Sequence, residues 1–360
     1  MKITVDHFVL VHLMNKALSI GTSDDKNFLE IELSGKILKM YRADKFLFAV
    51  AQTERVTVVE DSEPYRISVS AGNLKELLEN MDERPITLHV NEKYDLFIQG
   101  GQFLGEWTQI DEHVDKEPEG LTMDVTFEAD ISPFVKAVER AKHIVDDIHY
   151  EQRLRSVFFE PDCCWTFDNF SYQRIDVEIG NSDKFVVPFS SLSVLKFLKE
   201  SGQESMTIGY NKAYIQFKTG NDVFACKRTN VEDPPFVGLL SKVNKKNQVL
   251  FNAEVADLVK CIKRVSITAE RGKYRISIDV KSNKIVISSE DDNANTSQET
   301  LTVATSGKTD ARKKFDIRYD LLLNALFVVK SKMVTIGIDK YHVVVESDDS
   351  YAVIPMVRPN

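Results

Sequence analysis

Several short segments carry the residue types of a phosphate-binding or metal-binding site. The segment 306–309, Ser-Gly-Lys-Thr, ends like a phosphate-binding loop, but that loop needs a glycine five residues before Gly307, where Thr302 stands. The segment 291–295, Asp-Asp-Asn-Ala-Asn, has oxygen-bearing side chains at the first, third and fifth places of a calcium loop. The sixth and twelfth places need glycine and glutamate, and both are threonine, Thr296 and Thr302. Neither segment is therefore expected to bind its ligand.

The cysteines and histidines also lack the spacing of a catalytic or zinc site. Cys163 and Cys164 are adjacent and cannot supply a staggered pair of zinc ligands, and no Cys-x-x-Cys segment occurs. A Gly-x-Ser-x-Gly nucleophile segment is missing as well. The glycine-rich segment 100–105 is typical of a hairpin or bulge. We expect no catalytic residue, no metal and no cofactor, with an enzyme whose site forms between domains kept as an alternative.

Length and composition indicate a globular protein of more than one domain. The 360 residues are enough for two or three domains, and 43% hydrophobic with 28% charged residues is an ordinary proportion. No apolar run approaches the roughly 18 residues that cross a bilayer, and the N-terminus lacks a signal-peptide layout. The four cysteines show no framework spacing, which favours free thiols in a reducing cytoplasm. We expect a cytoplasmic protein without a membrane partner.

The clearest organisation in the sequence is a threefold repeat. Apolar residues at helical spacing predict a first helix in each copy, at 6–19, 131–145 and 253–267. A second helix follows in each copy, at 71–81, 188–199 and 316–329. Alternating or β-branched runs between these helices predict strands.

Polar, turn-rich segments separate the three copies, at 111–120 and 242–248. The segment 134–140 of the second copy also matches 258–264 of the third. The pattern predicts an α+β fold in which each copy packs two helices on antiparallel sheets. The predicted domains are 1–120, 121–246 and 247–360.

The exposed faces of two first helices are predicted to be basic, although the formal net charge is −9. Their basic residues are Lys136, Arg140 and Lys142 in the second copy and Lys260, Lys263 and Arg264 in the third. A solvated face is the commoner explanation for any one helix, but equivalent placement on repeated helices favours a shared polyanion. Without Asn or Gln partners on a recognition helix, such a face would contact phosphates and not base edges.

The last ten residues, 351–360, form an apolar stretch that contains Pro355. Chain termini are usually frayed and polar, so this stretch should pack against another element. One interpretation is a closing edge strand, where proline is tolerated because no ladder donor is needed. The other is one wall of a peptide-binding groove.

Together, the triplication, the basic first helices, the acidic total charge and the Ala-Val-Ile-Pro-Met-Val-Arg ending resemble the bacterial β-type sliding clamps. These are the processivity factors of replicative DNA polymerases. The resemblance covers the whole chain and is strongest at 154–160, 172–176, 315–323 and 351–356. It implies a DNA clamp fold and a head-to-tail homodimer that closes around duplex DNA. Such a ring holds DNA by topology, so weak contacts without sequence specificity suffice.

The resemblance also implies three sets of functional residues. A groove between the second and third copies would dock linear peptides of the polymerase, the clamp loader and repair proteins, with core packing as the alternative for each residue. The groove residues are Leu154, Arg174, Ile175, Pro235, Leu240, Tyr274, Tyr319, Val353, Ile354, Pro355 and Met356. The residues expected to face DNA are Lys136, Arg140, Lys142, Lys196, Lys260, Lys263 and Arg264. Those expected at the dimer interface are Phe103, Leu104, Trp107, Glu290, Asp291 and Asp292.

Departures from the family pattern indicate a divergent member. Tyr172 stands where the family often has glycine, which could narrow the groove and alter its peptide preference. The first-copy strand that usually offers arginines reads Gln-Gly-Gly-Gln-Phe-Leu at 99–104, so either apolar contacts hold the ring or the dimer is weak. A clamp-like interaction scaffold that does not encircle DNA is therefore a further alternative.

Overall fold

A computed structural model describes most of the chain. It describes residues 1–20, 28–44, 46–60, 63–82, 84–110, 121–145, 152–168, 170–181, 183–188, 192–228, 248–269, 273–305, 313–339 and 341–357. These residues fall into two compact units. The first unit is Met1–Val135 with Ser190–Thr229, and the second is Lys136–Phe189 with Asn230–Asn360.

The order of helices and strands recurs three times along the described chain. The first series is β1 (Lys2–Val5), α1 (His7–Ala17), β2 (Phe28–Ser34), β3 (Ile37–Ala43), β4 (Leu47–Thr53), β5 (Val56–Glu60), β6 (Tyr65–Ser70), α2 (Ala71–Glu79), β7 (Ile86–Val90), β8 (Leu96–Gly100) and β9 (Phe103–Trp107). The second is β10 (Val125–Asp130), α3 (Ile131–Ala141), β11 (Ser156–Phe159), β12 (Cys163–Phe167), β13 (Tyr172–Asp176), β14 (Phe185–Pro188), α4 (Val194–Ser201), β15 (Ser205–Tyr210), β16 (Tyr214–Thr219) and β17 (Asp222–Lys227). The third is β18 (Gln248–Glu254), α5 (Val255–Val265), β19 (Arg275–Lys281), β20 (Lys284–Glu290), β21 (Thr296–Thr302), β22 (Ala304–Thr305), β23 (Lys313–Arg318), α6 (Tyr319–Val328), β24 (Met333–Ile338), β25 (His342–Ser347) and β26 (Ser350–Pro355). Each series ends in a helix and three strands, and the predicted α+β fold is confirmed.

The strands form antiparallel sheets that continue from one series into the next. In the first unit the sheet orders are β10-β15-β16-β17-β4-β3-β2-β6 and β5-β1-β7-β8-β9. In the second unit they are β14-β11-β12-β13-β26-β25-β24-β18-β22 and β21-β20-β19-β23. The two compact units thus divide the second series between them. The domain boundaries at 120 and 246 stay a prediction, because both linkers lie almost wholly outside the described residues.

The helices bury the predicted apolar stripes. In α1, Asp6 caps the first turn by accepting a hydrogen bond from the backbone N of Phe8, at 2.9 Å. Leu10, Leu13 and Met14 of the same helix are buried in the first unit's core. Each fully buried side chain of this size contributes about 1.5–3 kcal/mol. On α3, α4 and α5 the opposite face carries exposed lysines, among them Lys136, Lys196 and Lys260.

Three helix predictions began too early, the one at 253 by two residues, which belong to β18. Pro188 belongs to β14 and α4 begins at Val194, whereas the predicted helix started at 188. The predicted third-copy helix started at 316, but that residue lies in β23 and α6 begins at Tyr319. In β23 the buried Phe315 and Ile317 alternate with polar residues, a period of two that favours a strand.

The C-terminal strand β26 is an inner strand, so the prediction of a closing edge strand is wrong. It pairs with β13 on one side and β25 on the other. Pro355 is tolerated for a different reason. Its partner is His342 on β25, whereas the pairing with β13 extends only from Ser350 to Val353. The proline therefore leaves no ladder bond to β13 unmade.

Two further expectations concern the membrane and the thiols. No helix among the described residues is long and apolar enough to cross a membrane. All four cysteines are buried and free, as the prediction of free thiols requires.

Candidate functional site

All five lysines expected to face DNA are exposed, four on helices and one just after a helix. They are Lys136 at the middle of α3, Lys142 just after it, Lys196 on α4, and Lys260 and Lys263 on α5. None of these five forms an ion pair within the described parts of the chain. An unpaired ammonium group is free to contact a phosphate, and it does so without reading sequence.

Arg140 is buried, and the prediction that it lies on an exposed helix face is wrong. Its Nε donates to the carbonyl oxygen of Val328 at 2.7 Å, and its Nη2 lies 3.0 Å from Oδ2 of Asp349. Val328 is the last residue of α6, so the guanidinium satisfies one of the carbonyl groups left open at that helix end.

Arg264 is exposed but already holds a carboxylate partner. Its guanidinium donates from Nε to Oε2 of Glu299 at 2.9 Å and from Nη2 to the other oxygen. These hydrogen bonds hold the pKa of Glu299 below its ordinary value. A phosphate could bind Arg264 only in competition with this carboxylate.

Sequence reasoning missed an exposed aromatic residue in the same basic region. Phe327 lies in the last turn of α6 and keeps 40% of its surface exposed. Nζ of Lys263 lies 5.1 Å from its ring centroid, and the His143 ring centroid lies 5.7 Å away. Nearby, burial and then the charges of Arg140 and Lys136 lower the pKa of Lys330. Phe327 lies within an apolar run, so the local sequence gives no signal that its side chain is exposed.

The residues expected to line the peptide groove fall into two apolar clusters. In the first, Ile354 belongs to the buried core, and the partly exposed Tyr319 and Met356 pack against that core. Tyr274 adjoins them, with its ring centroid 5.7 Å from that of Tyr319 and its carbonyl accepting from the Tyr319 backbone N at 2.8 Å. This cluster offers partly exposed aromatic and thioether surface, which suits an apolar peptide side chain.

The second cluster lies on β11 to β14, β25 and β26 and on the short turn of helix before β11. It contains Leu154 and Val353 together with Tyr172, whose ring centroid lies 4.6 Å from that of Trp165. Tyr172 is 5% exposed, so the ring that replaces the family's glycine is packed inside this cluster. Arg174 lies over the Trp165 ring at 5.5 Å.

Strand alternation separates residues that the sequence placed in one groove. In β13 and β26, Arg174 and Val353 lie on one sheet face, whereas Ile175 and Ile354 lie on the other. Ile175 and Ile354 have no exposed surface, which favours the alternative of core packing for both. Pro355 is partly exposed, beside the first cluster. The two remaining predicted groove residues, Pro235 and Leu240, lie outside the described residues.

Arg318, at the start of α6, lies between two aromatic rings, Phe170 in the turn before β13 and Tyr274 before β19. The Arg318 guanidinium lies 4.8 Å from the ring centroid of Phe170 and 5.6 Å from that of Tyr274. Phe170 is 54% exposed, and the Asp168 carboxylate fixes its backbone by accepting from its N at 2.6 Å. Tyr274 has a φ of +52°, a left-handed conformation that is uncommon for a tyrosine. Phe170 and the Arg318 guanidinium therefore enlarge the exposed surface around Tyr274 and Tyr319, and neither was among the predicted groove residues.

The residues expected at the dimer interface lie at two sheet edges and their turns. Strand β9 is an edge of its sheet, with Phe103 37% and Leu104 66% exposed. Between Phe103 and Trp107, any side chain at Gly105 would collide with the Trp107 ring. Strand β21 is an edge in the second unit. At the end of β20, Glu290 is exposed. In the β20–β21 turn that follows, Asp292 is exposed, while Asp291 is half-buried and accepts backbone hydrogen bonds within the turn.

A polar cavity of about 570 Å³ lies next to this turn. Its lining residues are Arg275, Ser277, Ser288, Ser289, Glu290, Asp291, Thr296, Ser297, Gln298 and Lys314. Two of them belong to the expected dimer interface and none to the expected groove. The cavity is therefore separate from both apolar clusters.

The fold is similar to that of solved bacterial clamps over its full length. The DNA polymerase III subunit beta from Pseudomonas aeruginosa matches with a TM-score of 0.85, 16% identity and 100% coverage of both chains. The DNA polymerase sliding clamp from Bacillus subtilis matches with the same three values. The Pseudomonas aeruginosa sliding clamp bound to griselimycin matches with a TM-score of 0.84, 16% identity and 100% coverage of both chains. No protein-family model and no curated protein matches the chain. The resemblance inferred from the sequence is confirmed at the level of the fold: this chain has the fold of the bacterial β sliding clamps.

Proposed function

We propose that this chain is a DNA polymerase processivity factor, a homodimeric sliding clamp that encircles duplex DNA. The observation that carries the proposal is the set of five exposed lysines without ion-pair partners among the described residues, on helices of a clamp fold. The chain as a whole has a net charge of −9. Basic helix faces on an acidic protein attract DNA to those faces and keep it from adhering elsewhere.

The contacts with DNA would be weak and independent of sequence. Lysines contact phosphates as point charges, and each contact releases a counterion without selecting a base. A closed ring does not need tight binding, because topology prevents dissociation. Weak contacts also let the ring slide.

The ring would close head to tail through the two sheet edges. Strand β9 of one protomer would add to β21 of the next and continue the sheet, with Phe103 and Leu104 buried in the contact. A contact between different surfaces forms a ring when its rotation closes. With three domains in each protomer, 1–120, 121–246 and 247–360, the ring would contain six.

Partner proteins would bind at the two apolar clusters of the second unit. The partly exposed Tyr274, Tyr319 and Met356 offer pockets for aliphatic and aromatic side chains of a linear peptide. The polymerase, the clamp loader and repair proteins would carry such peptides. The griselimycin complex of the Pseudomonas aeruginosa clamp supports a ligand site on this fold. A cytoplasmic location and the lack of catalytic activity stay predictions.

An interaction scaffold that does not encircle DNA is the second candidate. The observation that favours it is the edge strand β9, which lacks the arginines expected of the family and exposes apolar side chains instead. Such a protein would use the peptide clusters without closing a ring.

Two measurements distinguish these functions. Sedimentation should show a species near twice 41.0 kDa, and a strict monomer at micromolar concentration would favour the scaffold. Protein that has closed on a nicked circular DNA should stay bound through gel filtration in high salt. It should be lost when the circle is cut. Equal retention on circular and linear DNA would contradict the topological mechanism.

A further inference from the structure

The basic helix surface of the second unit includes an exposed aromatic ring that lies against Lys263. Phe327 is exposed at 40%, although α6 otherwise turns most of its apolar residues inward. Leu326 and Val328, its neighbours in the chain, are both buried. The ring lies against the Lys263 ammonium group and the His143 imidazole. This is an unusual place for a phenylalanine that serves packing alone.

The surroundings of the ring suit a nucleic acid. Lys136, Lys260 and Lys263 are exposed and unpaired within the described chain, and Lys330 is exposed nearby. This concentration of positive charge is complementary to a phosphate backbone. An aromatic ring among cations is the arrangement that proteins use for single strands, where each base stacks on a ring and the phosphates meet lysines.

Contacts of Arg140 hold the helix end that carries the ring. Arg140 donates to the carbonyl of Val328, the residue after Phe327, and pairs with Asp349. The end of α6 is thereby tied to α3. A ring presented on a rigid helix end loses little conformational freedom when a base stacks on it.

Energetics favour an unpaired base over an intact duplex as the stacking partner. Inserting a side chain between paired bases costs a few kcal/mol for each step that is unstacked. Stacking of one base on one ring returns about 1–3 kcal/mol, which roughly offsets that cost and leaves no gain. An unpaired base pays no such cost, so the same contact yields a net gain.

We propose that Phe327 is a stacking site for an unpaired base, and that this surface binds single-stranded DNA next to the duplex that the ring encloses. The proposal rests on the proposed function for the placement of DNA at these helices. Beyond duplex binding, this proposal adds single-stranded DNA as a ligand and Phe327 as the residue that recognises it. A clamp with this site would pause where duplex meets single strand.

The test compares variants of Phe327 with a labelled 20-residue oligothymidine and with a blunt 20-base-pair duplex, both by fluorescence anisotropy in low salt. Phe327→Ala and Phe327→Leu should each weaken oligothymidine binding by about tenfold, because both remove the π face. Phe327→Trp should retain the affinity. Binding of the duplex should change by less than about twofold in all three variants.

Tyr94→Ala is the matched control, because Tyr94 is an aromatic residue of similar exposure, 46%, next to Asp95 in the β7–β8 turn. It should leave both affinities unchanged.

The proposal is overturned if Phe327→Ala binds oligothymidine as tightly as the unaltered protein does. It is also overturned if duplex binding falls equally, which would indicate a wedge inserted into the double helix. Retention on nicked circular DNA should be unaffected by Phe327→Ala, so the proposed function is tested independently of this site.

Discussion

Arg140 and Asp349 form an ion pair in which Nη2 and Oδ2 are 3.0 Å apart, and the side chains are 10% and 29% exposed. The same guanidinium donates to Val328 at the end of α6. One side chain thus joins α3, α6 and the β25–β26 turn within the second unit. Sequence position alone had assigned this arginine to DNA.

Replacing Arg140 by alanine should therefore reduce stability more than DNA binding. The change leaves the Asp349 carboxylate and a helix-end carbonyl without their partner, so the free energy of unfolding should fall by about 3 kcal/mol. Urea denaturation followed by circular dichroism measures this. Lys136→Ala on the same helix is the control and should cost less than about 0.5 kcal/mol. If Arg140→Ala were as stable as Lys136→Ala and lost DNA affinity, the structural role would be wrong.

Removing two of the exposed lysines should change the salt dependence of DNA binding. Each phosphate contact contributes about 0.9 to the slope of log affinity against log salt. The double variant Lys260→Ala, Lys263→Ala should therefore lower that slope by about 2. Titrations of a DNA duplex at several KCl concentrations between about 50 and about 200 mM measure this slope. Lys93→Ala, at an exposed lysine in the β7–β8 turn, should leave the slope unchanged. An unchanged slope in the double variant would remove α5 from the DNA surface.

Alanine variants of Ile354 and Met356 should affect different properties, the first mainly stability and the second mainly peptide binding. Ile354 has no exposed surface, so Ile354→Ala should lower the free energy of unfolding by about 2–5 kcal/mol. Met356 is partly exposed against the same core, and Met356→Ala should cost less stability. With a peptide selected from a random phage-displayed library as the probe, Met356→Ala should weaken binding at least about tenfold. Unchanged peptide affinity in Met356→Ala would show that the groove assignment is wrong.

Two buried thiols should make the second unit less stable at high pH. Burial raises the pKa of Cys163 and of Cys261 from 9.0 to about 12 in each case. Between these values the unfolded chain releases protons that the folded chain keeps, so stability is full below pH 9 and falls as pH rises toward 12. After allowance for solvent screening, each thiol should contribute about 0.5–1 kcal/mol per pH unit. Urea midpoints at about pH 8.5 and about pH 10.5, on either side of the ordinary thiol pKa of 9.0, measure the decline. The variant Cys163→Ala, Cys261→Ala should show a smaller decline, and an equal decline would contradict the assignment.

A charge on the exposed edge strand β9 should weaken the dimer. Leu104 is 66% exposed, and the proposed contact would bury it, so Leu104→Glu should raise the dissociation constant of the dimer by at least about tenfold. Sedimentation velocity over a concentration series measures the constant. Val59→Glu is matched to it, because Val59 is 52% exposed on β5, the opposite edge of the same sheet. If Val59→Glu weakened the dimer and Leu104→Glu did not, the ring would close through the other edge.

The sequence alone determined the α+β class, the threefold order of elements and the helices with their buried faces. These features depend on local periodicity, because a stripe such as Leu258, Ile262 and Val265 must face a core wherever the helix lies. Periodicity also identified the exposed Lys260 and Lys263 on the opposite face. The resemblance to the bacterial clamps was inferred from the same local patterns, and the similarity of the folds confirms it.

Only the tertiary structure decided what each of these residues contacts. Spacing along α3 could not show that Arg140 reaches a carbonyl 188 positions later, nor could an apolar run show that Phe327 is turned outward. Strand order likewise placed Ile175 and Ile354 on one sheet face and Val353 on the other. The physical reason is that partners distant in the sequence are set by packing between elements, and no periodicity within one element encodes them.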